Sequence, residues 1–230
     1  MKVDLLKYMS DRLLENSGKA KEPGPVITIS REYGCPSKRI AQKLTEELTR
    51  KMFVKGKDIE WKYITKEIIS ESAKELELDP AKIKYVFNYE QKGLLDDILT
   101  AHSTKYYKSD RHIRNTIAKV IRNLSNEGNV VIVGRGGVAI TRDIPKSLHI
   151  NLEAPLEWRV LRTSTKLDMS LEEAEQYALE IDRKRKQFRE FFEGKNSDYT
   201  RFDLSFNCMT LSIDEIVNII IRAAEIRKLI

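Results

Sequence analysis

The fold is decided by the segment Val26–Leu44, which reads VITISREYGCPSKRIAQKL. Its first four residues are β-branched, as in a buried strand, and Gly34 and Pro36 then interrupt the pattern. From Lys38 apolar residues return at helical spacing and continue to Arg50. The segment therefore predicts a strand, a glycine-containing loop and a helix, in that order.

The alternation of strands and helices continues to the C-terminus. A second buried-strand pattern at 129–133 ends in the sequence GRGG, and further strands are predicted at 147–152 and 203–207. Helices are predicted at 111–126, at 155–167, at 171–193 and from 212 or 213 to 229, and the stretch 59–108 is predicted to be mainly helical. Strands that alternate with helices require crossover connections. They predict an α/β fold, a parallel sheet flanked by helices on both faces.

The composition is that of a globular protein. Of 230 residues, 41% are hydrophobic and 33% are charged, which excludes a disordered or collagen-like chain. Residues 1–25 predict an appended amphipathic helix and a linker, and the helix could support a homodimer or cover its own core. We expect no membrane span and no secretory signal, and hence a cytoplasmic protein.

Charge and metal-ligating residues narrow the function classes. Two cysteines and three scattered histidines exclude a disulfide framework and a zinc-type cluster. The 41 basic and 35 acidic residues give a formal net charge of +6, which favours anionic partners. Nucleotides satisfy this preference as well as nucleic acids do. We expect no nucleic-acid partner, because the charges are mixed and no nucleic-acid-binding motif is present.

Two predicted strands end in glycine-containing loops, at 30–38 and at 134–137. Ligands of open parallel sheets bind beyond the carboxyl ends of the strands, where these loops lie. A loop that leads into a helix N-terminus can bind an oligophosphate through its backbone N–H groups. The first loop does not match the strict phosphate-loop pattern G-x-x-x-x-G-K-[ST], so a plain structural turn remains an alternative on the pattern alone.

The sequence around the first loop resembles that of a known family. Ile27–Gly34, followed by Ile40–Leu44, is similar to the opening of the cytidylate kinase-like family, a branch of the P-loop nucleoside monophosphate kinases. The resemblance continues in KEII at 66–69, VIVGR at 131–135, APLEWRVLR at 154–162 and FDLSFN at 202–207. The resemblance covers roughly Val26 to the C-terminus. It rests on the order and spacing of the motifs together.

The resemblance implies a three-layer P-loop kinase fold over 26–230. It also implies a helical monophosphate-binding insertion at about 60–108 and a lid at about 160–200. The implied reaction moves the γ-phosphoryl group of ATP to CMP, dCMP or a similar small acceptor, with Mg²⁺ bound mainly through the phosphates. An alternative is a nucleotide-binding regulator, a pseudokinase that has kept the fold and lost turnover.

The first loop supplies the predicted ATP-binding residues, and Ser37 is the candidate for help with Mg²⁺. Lys38 is the candidate for the loop lysine, displaced by one position from the usual register, although a solvated first helical turn is the alternative. Pro36 stands where the motif has a glycine and removes one N–H donor. The predicted ATP-binding residues are Arg31, Glu32, Tyr33, Gly34, Cys35, Pro36, Ser37, Lys38 and Arg39.

Five arginines join Lys38 as predicted phosphate ligands, because guanidinium groups fork phosphate oxygens. Arg135 follows a buried strand among glycines; related cytidylate kinases have an aspartate after it, where this chain has Gly136. No acidic residue ends the strand before Arg135, so the steadying group for hydrated Mg²⁺ is missing there. The other four lie on predicted helices, where solvated ion pairs are the alternative: Arg159, Arg162, Arg183 and Arg185.

Overall fold

The computed structural model describes residues 23–65, 67–77, 80, 110–193 and 201–230. The described strands are β1 (Val26–Arg31), β2 (Lys62–Ile64), β3 (Val130–Val133), β4 (Ser147–Glu153) and β5 (Leu204–Asn207). The described helices are α1 (Ser37–Val54), α2 (Glu67–Glu75), α3 (Asp110–Glu127), α4 (Gly137–Ile140), α5 (Leu156–Leu167), α6 (Leu171–Glu193) and α7 (Ile213–Ile226).

The described strands form one parallel sheet in the order β2-β3-β1-β4-β5. β1 lies at the centre, with Val26 opposite both Val130 of β3 and Ser147 of β4. The carboxyl ends of β1 and β3 are therefore neighbours. This brings the loop that begins at Glu32 next to the loop that begins at Gly134.

Alternate side chains of the strands enter two hydrophobic cores, one on each face of the sheet. Val131 and Val133 pack with α1 and α7, whereas Val130 and Ile132 pack with α2 and α3 on the opposite face. Phe188 of α6 joins the second core. The result is a three-layer α/β structure, and the fold class expected from the sequence is confirmed.

Among the described residues, the predicted strands and the predicted helices from residue 38 onward, apart from the stretch 59–108, are present, with ends that differ by a few residues. The prediction of a mainly helical stretch at 59–108 is wrong at Lys62–Ile64, which forms the edge strand β2. Three residues are too few to show the alternating pattern of a strand. The N–H of Lys62 donates to the backbone carbonyl oxygen of Asn129, and this hydrogen bond helps to hold β2 beside β3. The short helix α4 at Gly137–Ile140 was also not predicted.

Several predictions lie outside the described residues. They include the N-terminal helix, most of the proposed monophosphate-binding insertion and the end of the proposed lid. Among the helices that the structure describes, none combines the length and apolar character needed to cross a bilayer.

Candidate functional site

A cavity of about 250 Å³ lies at the carboxyl ends of β1 and β3 and is closed on one side by α6. Arg31 is the last residue of β1, Arg135 lies in the loop after β3, and α6 supplies three further cations. We call it the cationic cavity, defined by Arg31, Arg135, Lys184, Arg185 and Arg189. Tyr33 and Tyr177, whose ring centroids are 5.2 Å apart, also line it.

Burial and mutual repulsion disfavour the charged state of these arginines. Burial, followed by the charges of Arg185 and Arg135, holds the pKa of Arg31 well below its usual range. Burial and the charge of Arg185 lower the pKa of Arg135 to about 10, and burial also lowers the pKa of Arg185 and of Arg189. Because a bound anion would relieve both effects, the cavity is suited to a ligand with several negative charges.

The cations of α6 differ in how they are compensated. Lys184 is buried and its Nζ lies 3.1 Å from a carboxylate oxygen of Glu180. Arg189 has a buried Nε for which the described part of the chain offers no acceptor. An unsatisfied buried donor is costly unless a partner is supplied. Arg189 therefore joins the candidate anion ligands, together with Arg31, Arg135 and Arg185.

Gly134 makes room for Arg31. A Cβ on Gly134 would lie 1.7 Å from Arg31 Nη1, and the glycine has a φ of +72°. The N–H of Gly134 donates to the carbonyl oxygen of Ile29 at 2.9 Å, which ties the end of β3 to β1. Arg31 thus extends from β1 across the end of β3, directly beside Arg135.

The backbone N–H groups of the first loop are largely occupied. Those of Glu32 and Cys35 donate to backbone carbonyl oxygens, and that of Tyr33 donates to Asp182 Oδ1 at 2.7 Å. The N–H of Ser37 donates to the carbonyl oxygen of Cys35, and Pro36 has none. The expected convergence of loop amides on an oligophosphate is therefore not met in this conformation, because these N–H groups bond within the loop, to β4 and to α6.

Lys38 and Arg39 are exposed on the first turn of α1 and lie apart from the cationic cavity. Ser37 is 8% exposed. The carboxylate of Glu32 accepts from the N–H of Ala154 at 3.1 Å and lies 3.3 Å from Arg159 Nε. The described residues contain no cluster of three or more metal-ligating side chains. These residues therefore offer no set of three such ligands that could hold Mg²⁺ without phosphate oxygens.

A second cavity, of about 360 Å³, lies on the other side of the loop. We call it the outer cavity; Pro36, Arg39, Trp158, Arg162 and the segment 208–213 line it. The Arg162 guanidinium lies 4.6 Å from the centroid of the Trp158 ring, and its Nε is 3.4 Å from the carbonyl oxygen of Gly34. This arrangement forms a flat cationic surface beside the loop.

The two cysteines meet between the loop and the outer cavity. The interaction of the Cys35 thiol with that of Cys208, together with burial, raises the pKa of Cys35. Cys35 also packs against the core formed by α1 and α7. Cys35 therefore packs at the base of the loop, and its role as an ATP-binding residue stays a prediction.

The predicted helical arginines have different surroundings. Arg159 is 6% exposed, and its Nε donates to the carbonyl oxygen of Ala154 at 2.9 Å. Arg183 is exposed and donates through two nitrogens to Glu180, at 2.7 and 2.8 Å. Neither lines the cationic cavity. For both residues the role of phosphate ligand stays a prediction.

The structure brings four of the predicted site residues together in the cationic cavity: Arg31, Tyr33, Arg135 and Arg185. It places Pro36, Arg39 and Arg162 at the outer cavity. The predicted phosphate ligands did not include Lys184 or Arg189, although Arg189 lies four residues after Arg185 on the same face of a helix. No signal in the sequence pointed to Lys184.

None of the curated proteins matches the chain. An uncharacterized protein from Eubacterium ventriosum ATCC 27560 has a similar structure, with a TM-score of 0.61 and 20% identity over 87% of this chain and 97% of that chain. This similarity supports the fold.

Two kinases are more distant. Shikimate kinase from Bacteroides thetaiotaomicron has a TM-score of 0.49 and 12% identity, over 87% of this chain and 98% of that chain. A gluconokinase from Sinorhizobium meliloti 1021 has a TM-score of 0.46 and 13% identity, over 89% and 95%. The Cytidylate kinase-like family matches residues 26–210. Since this match takes in every described strand and the cationic cavity, the chain belongs to the cytidylate kinase-like family.

Proposed function

We propose that the protein is a nucleoside monophosphate kinase, which transfers the γ-phosphoryl group of ATP to CMP, dCMP or a similar small acceptor. The observation that carries the proposal is the cationic cavity at the carboxyl ends of β1 and β3. Membership of the family supports phosphotransfer chemistry in general, and the acceptor is our inference.

The chemistry of phosphoryl transfer explains why such a cavity is needed. The transition state spreads negative charge over the transferring group, and catalysis depends on positioning and on fixed positive charges. Arg31 and Arg135 extend from adjacent strand ends, and Arg185 and Arg189 face them from α6. These side chains already occupy their places in the protein, so little reorganisation is needed when the charge develops.

The outer cavity supports the donor side of the reaction. It lies across the loop from the cationic cavity, and the planar Arg162–Trp158 pair can stack with a nucleobase. ATP bound there would direct its phosphates past Gly34 and Pro36 toward the acceptor. Lys38 and Arg39, at the start of α1, remain predicted phosphate ligands, and Mg²⁺ would be carried by the phosphates of ATP.

A catalytically impaired regulator remains the second candidate. The N–H groups of Glu32, Tyr33, Cys35 and Ser37 are already bonded within the protein, which favours this alternative. The absence of an acid in the strand β3 favours it too, since an acid there would steady hydrated Mg²⁺. A regulator binds nucleotide without releasing ADP.

Three further expectations stay predictions. They are the cytoplasmic location, the absence of a nucleic-acid partner and the homodimer through residues 1–25.

A coupled assay for ADP release separates the two candidates. The acceptors are CMP, dCMP, UMP, AMP and shikimate, each with ATP and Mg²⁺. Release of ADP in the presence of a pyrimidine monophosphate supports the proposed kinase. Nucleotide binding without ADP release from any acceptor supports the regulator instead.

Arg135→Ala tests the cationic cavity directly. We expect a loss of about 100-fold or more in kcat/KM, because a fixed guanidinium that faces developing charge is removed. Arg135→Lys should recover part of the rate, since the charge returns without the fork. The matched control is Arg142→Ala, an exposed arginine seven residues along the chain, which should keep the wild-type rate. Wild-type activity in Arg135→Ala would remove Arg135 from the site.

A further inference from the structure

The carboxylate of Asp182 joins the loop after β1 to α5 and α6. Its Oδ1 accepts a hydrogen bond from the N–H of Tyr33 at 2.7 Å. Its Oδ2 accepts from Arg159 Nη1 at 2.7 Å, and Oδ1 also accepts from Arg185 Nη1 at 3.3 Å. One carboxylate therefore connects the loop with an arginine from each of the two helices.

Arg159 completes the attachment of Tyr33. Its Nη1 also donates to the carbonyl oxygen of Tyr33 at 3.2 Å, so both backbone polar groups of Tyr33 bond to the Asp182–Arg159 pair. Arg159 also packs against Gly34, where an added Cβ would lie 3.0 Å from Arg159 Cβ. Charge-assisted hydrogen bonds of this kind are the stronger ones in proteins. These bonds hold the loop against both helices.

Arg185 is oriented by the same carboxylate. Its Nη1 donates to the carbonyl oxygen of Arg31 at 3.1 Å as well as to Asp182, and its guanidinium lies 5.5 Å from the centroid of the Tyr33 ring. In the described part of the chain, its hydrogen bonds all come from Nη1. Nε and Nη2 are then free for a ligand in the cationic cavity, which Arg185 lines.

We propose that Asp182 is a positioning residue for this site, which acts through Arg185 and the loop and does not contact the reacting groups. It fixes the direction of the Arg185 guanidinium and supplies the negative charge that lets this side chain approach Arg31 and Arg135. The inference rests on the proposed function, because the oriented guanidinium matters only if an anionic substrate binds in the cationic cavity.

Asp182→Asn tests the role of the carboxylate with little change in size. An amide at this place removes the charge and directs an N–H₂ group at one of its present donors. We expect kcat to fall by about 100-fold while the KM for ATP changes little, because displacement of a positioned group acts mainly on the reacting geometry. Binding of inorganic pyrophosphate, measured by calorimetry, should weaken by about tenfold or more. Asp182→Glu should recover part of both losses.

The matched control is Glu175→Gln, the same chemical change at an exposed position on the same helix. It should leave kcat and pyrophosphate affinity unchanged. Melting temperatures of all variants establish that they are folded. If Asp182→Asn does not fold, the comparison of Asp182→Glu with the wild type decides, and unchanged kcat and affinity in that variant overturn the proposal.

A double-mutant cycle separates positioning from a general structural role. Arg185→Gln alone should cost about as much pyrophosphate affinity as Asp182→Asn, and the double variant should cost little more than either, since both changes remove the same oriented group. Additive losses would overturn the proposal. So would wild-type affinity in Asp182→Asn.

The readouts also distinguish this proposal from the proposed function. A wild-type protein that binds pyrophosphate with the expected coupling but releases no ADP contradicts the kinase and supports the role of Asp182. A wild-type kinase that is unaffected by Asp182→Asn contradicts the role of Asp182 alone. A wild-type protein that does not bind pyrophosphate overturns the positioning role, because no anion then meets Arg185.

Discussion

The contact between Arg31 and Gly134 shows how a single residue type controls the cationic cavity. Gly134 has a φ of +72°, and any Cβ there would lie 1.7 Å from Arg31 Nη1. The atom that would be displaced is the end of a long side chain, so the guanidinium can move away at moderate cost. A larger residue at 134 would therefore change the geometry of the cavity more than the stability of the fold.

Gly134→Ala should weaken pyrophosphate binding by about tenfold. The added Cβ displaces the Arg31 guanidinium, which then no longer donates a charge-assisted hydrogen bond to the bound pyrophosphate. The control is Gly56→Ala, since Gly56 has a φ of +70° and no atom within 4 Å of an added Cβ. Both variants should lose about 1 kcal/mol in the free energy of unfolding, from the left-handed conformation. Calorimetry and denaturant unfolding measure the two effects. Equal pyrophosphate affinity in the two variants would contradict the role of the contact.

Some of the site residues could be predicted from the sequence and others could not. The position of Arg135 could be predicted because it directly follows a buried strand and stands among glycines. A residue that follows such a strand lies beyond the end of the sheet. Asp182 gave no comparable signal. Its importance comes from Tyr33 and Arg159, which are 149 and 23 residues away along the chain, and only the packing of α6 brings them together.

At the scale of elements, the pairing of β1 with β4 buries a histidine. His149 lies opposite Thr28 in the register of the two strands, and its Nδ1 is 2.8 Å from Thr28 Oγ1. Its Nε2 is 3.2 Å from Ser147 Oγ, and its backbone N–H donates to Asp203. Burial lowers the pKa of His149 below its usual value, with the nearby charge of Asp203 acting in the opposite direction.

This burial predicts a pH dependence of stability. Below about pH 6.5 the unfolded chain protonates His149 while the folded protein resists it, so the free energy of unfolding should fall as the pH decreases. His149→Gln should show a smaller decrease between pH 7 and pH 5, measured by denaturant unfolding at each pH. His112→Gln, at an exposed histidine of α3, is the control and should retain the wild-type decrease. Identical slopes for His149→Gln and the wild type would contradict the prediction.

The elements that sequence reasoning missed are the short ones. β1 and β3 can be predicted because four β-branched residues occur together in each, as in Val130–Val133. β2 has three residues and lies at the edge of the sheet, where pairing with β3 determines its conformation. α4 has four residues and starts after Gly136, whose φ of +72° cannot be read from a pattern. In both cases tertiary contacts outweigh local propensity.

At the scale of the whole molecule, the distribution of charge matters more than its sum. The formal net charge is only +6, and many charged side chains of the described residues form exposed ion pairs, such as that of Arg183 with Glu180. The cationic cavity is different, because burial lowers the pKa of its arginines, and the charges of Arg185 and Arg135 lower the pKa of Arg31 further. The folded protein therefore carries an electrostatic cost in one place, which a polyanion would offset.

Pyrophosphate should therefore raise the melting temperature of the wild type. A ligand that binds only the native state stabilises it by about 2.7 kcal/mol at 100 times its Kd. Sodium chloride at the same ionic strength should do much less, because screening acts on exposed charges more than on buried ones. Arg189→Gln should reduce the pyrophosphate shift, since it removes a guanidinium whose buried Nε lacks an acceptor in the described part of the chain, whereas Arg142→Gln, at an exposed position, should keep it. Equal shifts from pyrophosphate and sodium chloride would mean that the stabilisation is general screening and that the cavity does not bind anions.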